Sequence, residues 1–441
     1  MQRRNFLKYL SISAIVALVP SSLEAAINSD PTLYVFIQAG GGWDVTSLCD
    51  PKGYMSSDQD KNGNILATAM NRSYANKDII TLGNGISFPP ISVATHGTSH
   101  GVTYDYETFF RKYENELLII NGIDAQTNAH SAGLRYMMSG RLSEGYPSLS
   151  ALIAGAKMHA SPLSFVTSGG YDFTDGFVAG TRISDSKVLL ELSDNNKKDA
   201  KNTFMHTTVN SRLKKMREER ILRLVSKERL ASVKQQMEQF HLAHTGTSEL
   251  VKLVQSLKDL DPNLDAASKT NTVFKQGRFA LAGFKAGLTT STNIYYGGFD
   301  THGDNDRQQL SRLSKLLEGI DLLKQEAQNL GIDQNIVYVV GSEFGRTPGY
   351  NAKNGKDHWS VTSMMFMGKG INRKGVVGST TSSHKIKKIN LATLKEDANG
   401  AKLNYGHINK ALRKLSGLEN NSAINQQYPF SGNIDSVNLF G

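Results

Sequence analysis

Short apolar runs alternate along the chain with polar, glycine-rich stops. Leu33-Tyr34-Val35-Phe36-Ile37 has the length of a buried strand and empties into Gly40-Gly41-Gly42-Trp43-Asp44, a turn signal. Leu117-Leu118-Ile119-Ile120 is a second strand-length run. A polar stretch from Asn121 to Asn128 follows and reads as a loop, and His130 to Met138 reads as a helix closed by Gly140. Ser184 to Asp199 reads as irregular surface. From about Thr207 to Leu257 the chain is charged and helix-favouring, with Leu213, Met216, Ile221, Leu222, Leu224 and Val225 as an apolar stripe, so a helical excursion over about 185–260 is expected to pack on the main body.

Beyond Val273 the alternation becomes regular. Phe274 to Leu288 suits a helix, Asn293 to Tyr296 a strand, Arg307 to Leu330 a helix stopped by Gly331, and Asn335 to Val340 a strand. In the second helix Leu310, Leu313, Leu317, Ile320 and Leu323 fall at three- and four-residue steps. Strand, helix and strand joined by long crossovers demand parallel pairing with helices on the sheet faces. The expected fold is therefore α/β, a mostly parallel sheet sandwiched between helices, formed by one domain over 27–441.

The first 26 residues read as a leader. Arg3-Arg4-Asn5-Phe6-Leu7-Lys8 precedes an apolar stretch from Leu10 to Val19 and small residues at Ala25-Ala26. The arginine pair directly before a short apolar run resembles a twin-arginine signal, with an ordinary secretory signal as the alternative. The twin-arginine export machinery is then a partner, the location is the periplasm or cell surface, and the chain leaves the cytoplasm folded. The single Cys49 excludes an intrachain disulfide. No later apolar run reaches the ~20 residues of a membrane-spanning helix. The formal charge of +10 comes largely from the leader and from Lys187 to Lys234. Acidic residues are interleaved there (Glu218, Glu219, Glu228), which favours a solvated helix face over a nucleic-acid partner.

Candidate chemistry gathers where strands end. Asp44, the pair Asp300/His302 and the pair Glu343/Arg346 each follow a predicted strand, and ligands of open parallel sheets bind at that edge. Asp300-Thr301-His302 can turn a carboxylate and an imidazole toward one point, and Asp357-His358 follows just after Gly355. Mixed carboxylate and imidazole donors fit Zn²⁺ or Mn²⁺, and carboxylates alone fit Mg²⁺ or Ca²⁺. Arg346 offers a planar bidentate donor for an anionic group, or else a salt bridge to Glu343.

At these residues the chain resembles a known family. Gly298-Phe299-Asp300-Thr301-His302, Ser342-Glu343-Phe344-Gly345-Arg346-Thr347 and Asp357-His358-Trp359 look like signatures of the exported bacterial family known as domain of unknown function 1501. Gly41-Gly42-Trp43-Asp44 and Asn128-Ala129-His130-Ser131 look like two more of its blocks. That family is similar in turn to the alkaline-phosphatase and sulfatase superfamily, which implies a helix-sandwiched parallel sheet with one or two metals at its strand ends. The resemblance implies that Asp44 is the ligand after the first strand. It makes Asp300 and His302 the Asp and His of one metal, closer in sequence than is usual, and His358 the late His of that metal. Glu343 stands where many members place an Asp of the second metal, but Phe344 cannot ligate. The superfamily nucleophile sits at a helix N-terminus, where Ser131 and Thr127 are the available hydroxyls. The implied activity is metal-dependent hydrolysis of a small anionic phosphate or sulfate ester. The alternative is a non-catalytic exported binding or assembly protein that keeps the fold.

The leader gives the first testable prediction. Replacing both Arg3 and Arg4 by Lys leaves precursor in the cytoplasm, read by fractionation and immunoblotting. Unchanged export and processing would assign the leader to another route.

Overall fold

The computed structural model describes residues 31–158, 163–182, 196, 202–230, 233–234, 237, 247–430 and 434–441. The leader lies outside the described residues, as does the stretch Ser184 to Asp199 apart from Asn196.

Eight strands build one central sheet: β1 (Leu33–Gly40), β2 (Leu118–Asp124), β3 (Phe165–Thr167), β4 (Gly180–Arg182), β5 (Ser291–Gly297), β6 (Ile336–Gly341), β7 (Val361–Gly368) and β8 (Gly375–Val377). Their order is β8-β2-β7-β6-β1-β5-β3-β4. All pairings are parallel except those of β7, which runs antiparallel to both β2 and β6. The fold is thus a mostly parallel sheet between helices, as the alternation of apolar runs implies.

Among the longer helices are α1 (His130–Ser139), α2 (Leu149–Met158), α3 (Thr207–Lys227), α4 (Thr272–Lys285), α5 (Asn305–Asn329) and α6 (Tyr405–Leu415), and all of these but α3 contribute to the cores that cover the sheet. Strand β1 shows why two layers are needed. Leu33, Val35, Ile37 and Ala39 point into one core with Val273 and Phe274 of α4 and Leu310, Leu313, Leu317, Ile320 and Leu323 of α5. Tyr34 and Phe36 point the other way, into a core with Met137 of α1, Leu152 and Ile153 of α2, and Ile408 and Leu412 of α6. A strand apolar on both faces is stable only when both are covered.

Two features depart from the sequence reading. Strand β2 runs on through Asn121 to Asp124, where the polar residues suggested a loop. The apolar stripe of α3 is not packed as expected: only Val225 is buried, and Met216, Leu222 and Leu224 are exposed. Repeated Arg and Lys on every turn give that helix few positions that a core accepts.

The loops at the C-terminal strand edge are locked by a buried ion pair. Asp44, just past β1, and Lys356, in the segment before β7, are both wholly buried, with Lys356 Nζ 2.7 Å from Asp44 Oδ2. The same ammonium donates to Thr46 Oγ1 (3.2 Å) and the Met70 carbonyl (2.5 Å), while Asn305 Nδ2 donates to Asp44 Oδ2 (3.0 Å). Burial opposes ionisation of Asp44, but Lys356 and these hydrogen bonds hold its carboxyl below the usual range.

Removing one partner of such a pair leaves an uncompensated buried charge. Lys356→Met is therefore expected to destabilise the fold by about 3–5 kcal/mol, measured by denaturant unfolding. Adding Asp44→Asn to that variant should recover part of the loss, and full stability of the single variant would contradict the account.

Candidate functional site

Glycine brings the loops together. Gly41 and Gly42 leave β1 with φ of +119° and +85°. A Cβ on Gly41 would lie 2.4 Å from the Asp300 amide nitrogen, and one on Gly42 would lie 2.6 Å from the Phe344 ring. The first turn therefore presses directly against the exits of β5 and β6. Gly41 N–H donates to Glu343 Oε1 (2.7 Å), and Trp43 N–H donates to Ser342 Oγ (3.0 Å).

Arg346 ties the same loops from within. It is fully buried, and its guanidinium donates to the carbonyls of Gly41, Gly42 and Lys356 and to Asp300 Oδ1, the last at 2.8 Å. A two-residue antiparallel ladder sets His358 opposite Arg346 and Trp359 opposite Gly345. That register carries His358 to the same carboxylate.

Three imidazoles surround Asp300. Its Oδ1 lies 3.1 Å from His302 Nε2, 3.2 Å from His358 Nε2 and 3.5 Å from His130 Nε2. His302 Nε2 and His358 Nε2 are 3.1 Å apart. The far nitrogen of each ring faces an acceptor. His358 Nδ1 meets the Asn128 carbonyl at 2.7 Å, His302 Nδ1 meets Asp357 Oδ1 at 2.8 Å, and His130 Nδ1 meets Glu343 Oε1 at 2.8 Å. A carbonyl or an ionised carboxylate can only accept, so each Nδ1 carries a proton, and each Nε2 turns toward Asp300, as an N–H donor where the ring is doubly protonated and as a lone pair for a cation where it is neutral.

The electrostatics follow from these contacts. Partial burial opposes the charge of Asp300, but the hydrogen bonds from Arg346 and His358 bring its carboxyl down to about 2. The hydrogen bond to Glu343 raises the pKa of His130, against the effect of its desolvation. His302 lowers that of Asp357. An ionised carboxylate facing three imidazole lone pairs is repulsive unless protons or a cation sit among them. The donor set fits a divalent cation: ligand atoms of His130, Asp300 and His358 lie within 4.8 Å of one another, and His302 adjoins two of them. A held Nδ1–H on each ring is the arrangement that orients metal-ligating histidines. Asp300, His302 and Asp357 are about half exposed, so the cluster opens to solvent.

The structure thus brings Asp300, His302 and His358 together and puts Glu343 and Asp357 behind them as acceptors. Asp44 is not in the group, since its carboxylate is taken by Lys356. Arg346 is engaged by backbone carbonyls and Asp300 rather than by Glu343. Ser131 is exposed on the first turn of α1. Ala129 occupies the N-cap position, with no side-chain cap hydrogen bond. Phe344 is buried with its ring centroid 4.9 Å from that of His130 and 4.5 Å from that of His358, a wall for two imidazoles. Sequence reasoning missed His130 and Lys356. His130 had a signal, an imidazole opening a helix just after a strand. Lys356 had none.

Several solved structures are similar at low identity. Lipoteichoic acid synthase LtaP from Listeria monocytogenes aligns with a TM-score of 0.34 at 8% identity, over 96% of this chain and 77% of that one. The PsFucS1 sulfatase from Pseudoalteromonas sp. aligns with 0.34 at 10%, over 90% and 69%. Alkaline phosphatase from the Antarctic bacterium TAB5 aligns with 0.32 at 7%, over 79% and 94%. No curated protein matches the chain. Residues 32–396 match the model of the family described as Protein of unknown function (DUF1501), and the chain belongs to that family.

Proposed function

We propose that this protein is an exported metal-dependent hydrolase of phosphate or sulfate esters. The observation that carries the reading is the convergence of three imidazole Nε2 atoms on Asp300 Oδ1, each ring held by an acceptor at Nδ1. His130, His302, His358 and Asp300 would hold the ion, and their mixture of nitrogen and oxygen donors suits Zn²⁺ or Mn²⁺. When bound, such an ion supplies Lewis-acid polarisation of an ester oxygen and a lowered pKa for a hydroxyl or water.

The remaining roles belong to the chain. Arg346 positions Asp300 and keeps it ionised. Asp357, Glu343 and the Asn128 carbonyl fix the ring orientation of His302, His130 and His358. The attacking hydroxyl in this reading is Ser131, which is exposed and adjacent in sequence to His130. The engagement of Arg346 favours a second reading, in which the centre is kept for binding or assembly without turnover, because that guanidinium is not free to grip an anion.

Two measurements test this. Protein purified without chelators should carry about one divalent ion per chain by elemental mass spectrometry. Asp300→Ala and His358→Ala should each lose it, and Asp357→Asn should weaken it roughly 10–100-fold. A parent without metal, or unchanged content in the ligand variants, overturns the metal reading.

The second concerns Ser131→Ala. Ser131 is exposed and is not the N-cap, so the change should alter stability by no more than about 0.5 kcal/mol and leave metal content intact. Hydrolysis of aryl phosphate or aryl sulfate should fall by orders of magnitude. A retained rate assigns the attack to water, and a metal-loaded parent that hydrolyses neither ester moves the second reading ahead.

A further inference from the structure

The sheet edge that carries the histidine cluster also carries a cavity of about 450 Å³. Its walls come from the ends of β3 and β4, the residues before α4 and the first turns of α4. Three of the lining side chains are cationic: Arg182, Lys269 and Lys275. Arg182 shares one carboxylate, Asp172, at 3.1 Å. Neither Lys269 nor Lys275 has a carboxylate partner among the described residues.

The rest of the lining is neutral and polar. Ser168 donates to the Gln276 side-chain oxygen at 2.8 Å, so two wall groups satisfy each other and leave the charge to the three cations. Helix α4 starts at the cavity with Thr272, and its N-cap Asn271 occupies the Phe274 N–H at 3.1 Å. The N–H groups of Thr272 and Val273 have no intrahelical partner, and the positive end of the helix faces the same space. Two ammonium groups with no carboxylate partner among the described residues, a guanidinium paired with Asp172 and a helix start make an environment for an anion. The volume suits a group the size of a small organic ligand rather than a bare ion.

Register places this cavity relative to the cluster. Thr167 of β3 pairs with Asn293 of β5, and β5 ends at Gly297, just before Asp300. At ~3.3 Å per residue Asn293 and Gly297 are separated by roughly 13 Å along the strand, and Asp300 lies beyond Gly297. A single small ester cannot reach both.

We propose that the cavity lined by Arg182, Lys269 and Lys275 is a second anion-binding site, which holds a sulfate or phosphate group carried on the same molecule as the one presented to the histidine cluster. The substrate class is then a polyanionic oligomer with repeated sulfate or phosphate groups. This deepens the hydrolase reading and rests on it for the word substrate; the binding event itself does not need turnover.

The test measures binding on the full mature chain with metal removed by chelation, so its result does not depend on hydrolysis. The probes are a size-defined dextran sulfate oligosaccharide, neutral dextran of the same length, and inorganic sulfate and phosphate, followed by titration calorimetry. The parent should bind the sulfated oligosaccharide, more weakly as salt is raised, and should not bind neutral dextran. Lys269→Gln with Lys275→Gln should weaken that binding at least tenfold with an unchanged melting temperature, and Arg182→Gln should weaken it further. Parent-like affinity in the triple variant overturns the proposal. So does inorganic sulfate or phosphate binding as tightly as the oligosaccharide, because the site would then take a free ion. Tight, lysine-dependent binding beside a complete lack of ester turnover supports the site while removing the hydrolase reading. Aryl ester turnover without lysine-dependent binding does the reverse.

Discussion

Burying a guanidinium in a protein costs several kcal/mol unless nearly every N–H finds an acceptor and the charge finds a counter-ion. Arg346 meets that demand with three carbonyls from two loops and with Asp300 from a third. The rest of the sheet edge follows from this one requirement. The turn after β1 must present the Gly41 and Gly42 carbonyls inward, which a left-handed glycine pair allows. The exit of β5 must bring Asp300 within reach, and the short ladder that holds Arg346 sets His358 beside it. The carboxylate that balances the buried charge is the one on which the imidazoles converge, so structural and chemical roles share one residue.

Asp44 and Asp300 show how burial divides similar residues. Each follows a glycine-rich turn at the end of a parallel strand. Asp44 is sealed and consumed by Lys356, and both charges are satisfied inside the protein. Asp300 is nearly half exposed, shares its charge with Arg346, and keeps an open side toward the histidines. Carboxylates of equal promise in the sequence thus become a strut and a candidate ligand.

Much of the sheet was legible because buried parallel strands are apolar on both faces, and β1 and β6 carry that signature with glycine stops. Helix α5 was legible from the spacing of Leu310, Leu313, Leu317, Ile320 and Leu323, all of which are buried. Strands β3, β4 and β8 have three residues each, too few to show a period. The direction of β7 was hidden because an apolar run does not encode its orientation. In the site, Asp300, His302 and His358 stand out by type and position. The partnership of Asp44 with Lys356 does not, because residues so distant in sequence leave no local trace of their contact.

The strand order also bears on how the chain is made. The centre of the sheet is β1, the first strand to leave the ribosome, yet its neighbours are β5 and β6: Tyr34 pairs with Ser291 and Leu33 with Ile336. At synthesis rates of ~5–20 residues per second, β1 waits for its partners on the order of tens of seconds. Until then an apolar strand has two open edges, the state most prone to pairing with other chains. Strands from the C-terminal half complete the first, so a nascent chain of this topology carries an unpaired apolar strand for most of its synthesis.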